Sequence, residues 1–411
     1  MLSDYIFDRR SLLRMQDVIP AARLDEFTDW LASLRYSPET IRSYAFTATR
    51  FVSWACSNGY RELSGLNRSC LIAYRREVVR LCGQTKRVRD SGNHYCGARR
   101  FVRFLRNCGV IPEEPSDVPS LVTRFCEWMR KQRGTRDSTL TTYQHVLCRL
   151  VKELGSEPRR YTAQQLRAFL LKESRGFSYS KADTTATSIR MFLRFLVVHG
   201  ECAEGLRYAI PRLAKWGQSS LPRYIEPEAV ERILNTCDAS TSIGARDRAV
   251  LLLLARLGLR GGDVATLRLD DLDWTKGQVQ VSGKSRQPAW LPLPQDVGDA
   301  ILHYLAKARP KVTSDRVFLI SCAPFTPIHP RQISATAERA IRRSGVCAPS
   351  LGAHIFRHSA ATAWLRQGLS LQAVGSVLRH SHVDTTAIYA KVDIGLLQQI
   401  VLPWPKECTP C

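Results

Sequence analysis

The sequence has no uninterrupted apolar run of about 18 residues, so we expect no membrane-spanning helix. Its N-terminus lacks the apolar core that follows a basic start in a secretory leader, so no export signal is expected. The most apolar stretch, residues 251–259, is too short to span a bilayer and predicts a buried helix. Acidic residues are few: 37 Asp and Glu stand against 60 Lys and Arg, giving a net charge of +23. This excess favours nucleic acid as the partner over general solubility or nonspecific polyanion binding.

Motifs for bound cofactors and metals are also missing. The sequence contains no Walker loop, no dinucleotide fingerprint and no acidic metal-binding set with recognisable spacing. Thirteen cysteines are present, and all but the terminal pair Cys408 and Cys411 stand singly along the chain. This spacing indicates reduced thiols in a cytosolic protein, without a disulfide framework or a zinc site. We therefore expect no cofactor and no metal.

The sequence does contain a repeated helical pattern. Amphipathic segments fill residues 20–110, and the proline-rich acidic link PEEPSDVP follows at 112–119. Beyond the link, LVTRFCEWMRKQRG matches the earlier RLDEFTDWLASLRY, and STLTTYQHVLCRLVKELG matches SPETIRSYAFTATRFVSWACSNG. A third pair is TATSIRMFLRFLVVHG with SGNHYCGARRFVRFLRNCG. We interpret these pairs as two copies of a four- or five-helix module.

The C-terminal part has a different pattern, α-rich with one predicted β-hairpin. The segments QVQVS and PAWLPLP alternate in polarity around GKSR, as the two strands of a hairpin do. The predicted division of the chain is an arm at 1–18, a first module at 19–111, a second module at 118–210, a linker at 211–223, a C-terminal domain at 224–400 and a tail at 401–411.

One stretch of about forty residues, 352–392, brings together four side chains suited to phosphate chemistry. His354 and Arg357 lie one helical turn apart, and His380 and Tyr389 follow. A guanidinium group binds phosphate oxygens with its planar fork, and a phenol can act as a covalent nucleophile. The set indicates chemistry on a phosphate ester.

These residues stand in HIFRH, LRHSH and TTAIY, which in this order resemble the C-terminal signature of the tyrosine recombinase (phage integrase) family. Upstream, ARLGLRGGDVATLRLDDLDW resembles the family's first arginine box, and VQVSGKSRQPAWLPLP resembles the segment that carries its lysine. The resemblance implies a mainly α fold, with two N-terminal helical (SAM-like core-binding) modules and an α-rich catalytic domain containing a small β-hairpin. The first module would be an extra arm-type or duplicated core-binding domain.

The resemblance also implies the roles of the site residues. Tyr389 would attack the phosphorus, and Lys284 would protonate the departing 5′ oxygen. His354 would bind the phosphate and accept the tyrosine's proton, while Asp263 would orient Arg260 or His354 by a hydrogen bond. The predicted catalytic set is Arg260, Lys284, His354, Arg357, His380 and Tyr389, with Asp263 in support.

Each assignment has a simpler alternative. Arg260 could pair with Asp263 or Asp270, Lys284 could be an ordinary exposed hairpin lysine with Lys276 in its place, and His354 or Tyr389 could belong to the core. His358 corresponds to a packing histidine of the family. Arg379 stands where the family has glycine, and it either adds a phosphate contact or shifts the turn. The apolar stretch 394–404 would dock onto a neighbouring protomer or pack on its own chain.

Arginines at helical spacing predict the DNA-binding surfaces, although a solvated helix face is the alternative. They are Arg99, Arg100, Arg103 and Arg106 in the first module, and Arg190 and Arg194 in the second. The implied protein is a site-specific recombinase or integrase of a mobile element, cytoplasmic and nucleoid-associated. It would act on double-stranded DNA as a tetramer, alone or with partner recombinases. A type IB topoisomerase-like activity and a catalytically silent DNA-binding protein are the alternatives.

Overall fold

The computed structural model describes residues 2–60, 62–84, 88–112, 117–212, 223–282 and 288–379, with 386, 388 and 389, and omits the side chains of 81–94. Lys284 and His380 lie outside the described residues. The chain is mostly helical with one small antiparallel sheet, which confirms the predicted mainly α fold class. Among the described helices, none is both long and apolar enough to cross a membrane. Residues 1–111 and 218–411 group into one compact unit, and residues 112–217 form another.

The first module is a helical bundle with its own hydrophobic core. Helix α3 begins where the sequence predicts, because the Ser37 side chain accepts a hydrogen bond from the Thr40 amide and Pro38 occupies the first turn. The segment 1–18, predicted to be an arm, is folded instead: Leu2 and Met15 are buried in this core. The helices are α1 (Arg9–Gln16), α2 (Ala21–Ser33), α3 (Pro38–Ser57), α4 (Arg68–Gln84) and α5 (Val88–Asn107).

The second module has four helices that follow one another like α2 to α5 of the first module. They are α6 (Ser120–Arg133), α7 (Asp137–Leu154), α8 (Ala163–Ser174) and α9 (Tyr179–Val198). The same aromatic contact stands at the centre of each module. Phe27 meets Phe101 edge-on at 5.1 Å between ring centroids in the first, and Phe125 meets Phe192 edge-on at 5.5 Å in the second. Two copies of one helical module, as the repeat in the sequence predicts, would have such an aromatic pair at equivalent positions.

The C-terminal region is built around α11, whose stretch from Ala249 to Leu254 is buried on every side. This burial confirms the helix predicted from the apolar run. The helices are α10 (Pro227–Leu234), α11 (Ser242–Arg256), α12 (Gly261–Thr266), α13 (Gln295–His303), α14 (Pro330–Ser344), α15 (His354–Arg366) and α16 (Leu371–Val377).

The sheet contains the predicted hairpin. Its strands are β1 (Leu272–Asp273), β2 (Gln278–Ser282) and β3 (Pro288–Pro292), in that order and antiparallel throughout. Val281 pairs with Ala289 and Val279 with Leu291, so the apolar residues of β2 share one face. Two short strands, β2 and β3, thus flank the segment 283–287 that carries Lys284.

The first module contacts the C-terminal region within the same compact unit. Arg35 Nη1 donates to the carbonyl of Lys311 at 2.5 Å, and Ala323 packs against the hydrophobic core of the first module. The sequence predicts three separate domains in chain order, whereas here the first module groups with the C-terminal region. These contacts join residues nearly three hundred positions apart, which local sequence pattern does not encode.

Candidate active site

Arg357 lies in the first turn of α15 and is buried, with 4% of its surface exposed. Its Nη1 donates to the Gly258 carbonyl at 2.6 Å, and its Nη2 donates to the Leu378 carbonyl at 2.5 Å. Burial, and next to it the charge of the nearby Arg260, lower the pKa of this guanidinium to about 10. Arg357 therefore remains charged at neutral pH, and it joins the turn before α12 to the end of α16.

Arg260 directly precedes α12, at its N-cap position, and its side chain makes no capping hydrogen bond. Its Nη1 is buried and has no hydrogen-bond partner among the described residues. Burial lowers the pKa of Arg260, the Asp263 carboxylate acts in the opposite direction, and Arg379 lowers it again. The alternative that Arg260 simply forms an ion pair with Asp263 or Asp270 is not what the described structure shows. A buried donor without a partner marks a place where an acceptor oxygen would be stabilised.

Asp263 pairs with an unexpected residue. Its Oδ2 accepts a hydrogen bond from Arg379 Nη2 at 2.5 Å, and the exposed fraction of each side chain is 9%. The sequence predicts that Asp263 holds Arg260 or His354, and the structure shows that Arg379 donates to this carboxylate.

Tyr389 is 1% exposed, and its hydroxyl lies 2.7 Å from Nδ1 of His358. Burial raises the pKa of Tyr389 to about 12, while Arg357 and Arg260 pull that pKa down. Both guanidinium groups thus act electrostatically on the hydroxyl that would attack a phosphate. The Tyr389 side chain also belongs to a small hydrophobic cluster with Leu365, Val374 and Leu378.

The histidine in contact with Tyr389 is His358, whereas the sequence predicts His354. His354 was predicted to accept the tyrosine's proton, but His358, one helical turn further along α15, makes the contact. Burial lowers the pKa of His358, and His354 and Arg357 lower it further, so its imidazole is neutral at neutral pH. His354 is exposed, with its ring 6.5 Å from that of His358. The i, i+4 spacing of the two histidines is the signal that could have identified His358.

Two of the predicted catalytic residues, Lys284 and His380, lie outside the described residues. The alternative lysine, Lys276, stands in the exposed turn between β1 and β2, with its amine 3.7 Å from the Asp273 carboxylate.

The predicted DNA-binding arginines lie on the last helix of each module. Arg99 and Arg103 are exposed on α5, and Arg100 lies over the Tyr36 ring at 5.5 Å. On α9, Arg190 donates to Thr187 and lies 3.7 Å from Asp183. Arg106, also predicted, is exposed near the end of α5.

An open cleft of about 920 Å³ lies in the second module, between α9 and residues 207–212. Its charged lining consists of Arg190, Arg194, Arg207 and Arg212, against the single carboxylate of Asp183. This lining is strongly cationic, as a surface that contacts phosphate groups would be.

Comparisons with known proteins agree with the resemblance. The model of the phage integrase family matches residues 223–394. The protein y4rA of Sinorhizobium fredii, named an integrase/recombinase, is 37% identical over 393 residues, covering 93% of each chain. Tyrosine recombinase XerC of Lactobacillus delbrueckii subsp. bulgaricus is 26% identical over 288 residues, which is 67% of this chain and 95% of its own.

A solved structure shows the same fold. The XerH site-specific recombinase, in a post-cleavage complex with a palindromic difH substrate, matches with a TM-score of 0.54 and 18% identity. The match covers 82% of this chain and 95% of that chain. XerC is matched over almost its whole length and still leaves about a third of the present chain unmatched, so this chain carries sequence beyond the XerC length.

Proposed function

Because this chain belongs to the tyrosine recombinase (phage integrase) family, we propose that it breaks and rejoins DNA strands through a 3′-phosphotyrosyl link to Tyr389. The observation that carries this proposal is the surroundings of the Tyr389 hydroxyl. It contacts a neutral imidazole at 2.7 Å and lies in the field of two arginines, Arg260 and Arg357. A nucleophile, a base and cationic phosphate ligands are the parts that transesterification of a phosphodiester requires.

The proposed cleavage step moves one proton at each end of the reaction. The Tyr389 oxygen forms a bond to phosphorus as its proton passes to Nδ1 of His358. The bond from phosphorus to the 5′ oxygen breaks, and Lys284 gives that oxygen a proton. The ester energy is retained in the phosphotyrosyl link, so rejoining needs no ATP.

The charges of the cluster suit the transition state of this step. Arg260 and Arg357 bring two positive charges to the cluster, and the charge of Asp263 is paired with Arg379. The pentacoordinate phosphorus gathers negative charge on its oxygens, and fixed cations in a partly buried site stabilise it without reorganisation. We assign His354 and His380 to hydrogen bonds with the non-bridging oxygens.

Double-stranded DNA is the proposed substrate, bound through arginines that both modules present on equivalent helices. Support comes from the cationic cleft of the second module, from the exposed Arg99 and Arg103 of the first module, and from the DNA-bound state of the XerH match. We propose a tetramer on DNA, with or without partner recombinases, serving a mobile element. The relative y4rA, named an integrase/recombinase, matches over 93% of the chain and so spans both modules.

The experiment that tests the proposed function is covalent trapping of DNA. Tyr389→Phe removes one oxygen and keeps the buried ring, so the variant should bind DNA with unchanged affinity but form no adduct that survives boiling in detergent. The matched control is Tyr304→Phe, since Tyr304 is another fully buried tyrosine whose hydroxyl accepts a hydrogen bond from the Leu319 amide. This control should still form the adduct. An adduct formed by Tyr389→Phe would refute the assignment.

A further inference from the structure

Arg379 occupies a backbone conformation that a side chain rarely adopts. Its φ is +54°, in the left-handed region where glycine is the residue without steric cost. The residue follows Leu378, the C-cap of α16, and directly precedes His380. A long cationic side chain in such a conformation suggests that its contacts compensate for the strained backbone.

The contacts of Arg379 join three separate pieces of the chain. Nη2 donates to Asp263 Oδ2 on α12 at 2.5 Å, and Nη1 donates to the Val281 carbonyl on β2 at 3.1 Å. The exposed fraction of the Arg379 and Asp263 side chains is 9% each, so the ion pair is screened little by water. The residue thus ties the turn before His380 to the helix start that carries Arg260.

Asp263 stands three residues after Arg260, on the same first turn of α12. It is the acidic residue beside Arg260, and it acts on the Arg260 guanidinium electrostatically. Arg260 Nη1 nevertheless has no hydrogen-bond partner among the described residues, while Arg379 donates to Oδ2 of this carboxylate. A carboxylate that lost Arg379 in this buried place would be costly to leave unpaired, and Arg260 is the cation within reach.

We propose that Arg379 is a positioning residue, which holds the Asp263 carboxylate so that Arg260 stays available for the scissile phosphate. The proposal rests on the proposed function, since it assigns Arg260 to a phosphate. Without Arg379, Asp263 would compete with the phosphate for Arg260, so Arg379 acts on the reaction through another residue. This role differs from both roles that the sequence suggested for Arg379, a phosphate contact and a shifted turn.

The test is single-turnover cleavage of a nicked suicide duplex by the full chain, at saturating DNA. Arg379→Gly suits the positive φ and releases Asp263, so it should slow adduct formation by about 10- to 100-fold, as a misplaced catalytic group does. Adding Asp263→Asn removes the competing charge, so the double variant should regain at least about tenfold of that loss. Arg379→Lys keeps a cation beside Asp263 and should stay within about tenfold of the wild type.

A merely structural role would give a different pattern. In that case Asp263→Asn would remove a second buried group and slow Arg379→Gly further, and this result would overturn the proposal. Cleavage by Arg379→Gly at the wild-type rate would also overturn it. Thermal unfolding of each variant shows whether it is folded, and Arg379→Gln, alone and with Asp263→Asn, takes the place of the glycine variant if that one unfolds. A wild-type chain that forms no adduct at all would instead count against the proposed function.

Discussion

Tyr389 is a poor nucleophile until something takes its proton. Burial raises the pKa of its hydroxyl to about 12, so only a minute fraction is ionised at neutral pH. The proton acceptor must therefore lie within hydrogen-bond distance, and Nδ1 of His358 does, at 2.7 Å. His358 is suited to this task because burial, and then His354 and Arg357, lower the pKa of its imidazole. A cationic imidazole could not accept the proton.

This geometry predicts that the rate of cleavage depends on pH through the protonation of His358. As the pH falls through the lowered pKa of His358, the imidazole becomes protonated and cleavage should slow. His358→Gln should reduce the single-turnover rate by about 10²- to 10⁴-fold, the usual contribution of a general base, and should lose this acid-side decline. The measurement is the rate of adduct formation between about pH 5 and 8.

His354→Gln is the matched control for His358, since the two histidines lie one turn apart on α15. It should slow cleavage through weaker phosphate binding and keep the acid-side decline. If His358→Gln retained the decline and His354→Gln lost it, the proton acceptor would be His354, as the sequence suggested.

Burial disfavours the charged form of Arg357. Its pKa is lowered from 12.5 to about 10, which corresponds to a penalty on the charged form of about 3 kcal/mol. The guanidinium keeps this charge at every pH below about 10, where both the folded and the unfolded state are protonated. A bound phosphate would offset the penalty, since an anion near a buried cation favours the charged form.

At the scale of helices, α5 and α9 present the same pattern to their surroundings. Arg99 and Arg103 bracket Phe101 in the first module, as Arg190 and Arg194 bracket Phe192 in the second.

The central phenylalanine fixes which face of each helix turns inward, because Phe101 and Phe192 are fully buried. The arginines two positions before and after it must then lie toward the outside of the bundle. The repeat thus gives both modules an equivalent basic face.

Equivalent faces predict equivalent effects on DNA binding. Arg99→Gln with Arg103→Gln, and separately Arg190→Gln with Arg194→Gln, should each weaken binding. Each pair should also lower the slope of log K against log salt by about 1.8, since each lost phosphate contact removes about 0.9. The measurement is the affinity for one duplex over a salt series, by fluorescence anisotropy.

The control for this series is Arg23→Gln on α2, because that half-buried arginine is already paired with Glu26 at 2.5 Å. It should leave the salt slope unchanged. An unchanged slope in the Arg99 and Arg103 variant would identify the basic face of the first module as a solvated surface.

At the scale of the whole molecule, each module and the C-terminal region has a separate hydrophobic core. We therefore expect each core to fold without the residues of the others. The first module nevertheless contacts the C-terminal region, through the bond from Arg35 to the Lys311 carbonyl and the packing of Ala323. Removal of the first module should eliminate these contacts. It should leave the candidate active site intact, because the described residues of that site all lie beyond residue 257.

We therefore expect a chain lacking residues 1–111 to fold and to keep Tyr389-dependent adduct formation. Its DNA affinity should be lower and its salt slope flatter by at least the change seen in the Arg99 and Arg103 variant. Circular dichroism, adduct formation and a salt series on the same duplex are the measurements. A truncated chain with the full slope would show that the first module contacts no phosphate.

The sequence by itself determined the features that depend on neighbouring residues. The spacing of apolar residues predicts the buried α11, Ser37 and Pro38 predict the start of α3, and alternation predicts the pairing of β2 with β3. The order of the motifs around Arg260, Arg357 and Tyr389 was enough to identify the family, because that order is a property of the chain.

Only the tertiary structure decided which side chains of the site touch. Tyr389 meets His358 across 31 positions, and Arg379 meets Asp263 across 116. His354 and His358 share one helix and similar surroundings in sequence, and α15 is oriented such that His358 reaches Tyr389. Likewise, Asp263 lies close to Arg260 in the sequence. The packing of the turn after α16 brings Arg379 into hydrogen-bond contact with the Asp263 carboxylate. Such choices depend on the relative orientation of packed elements, which local spacing does not specify.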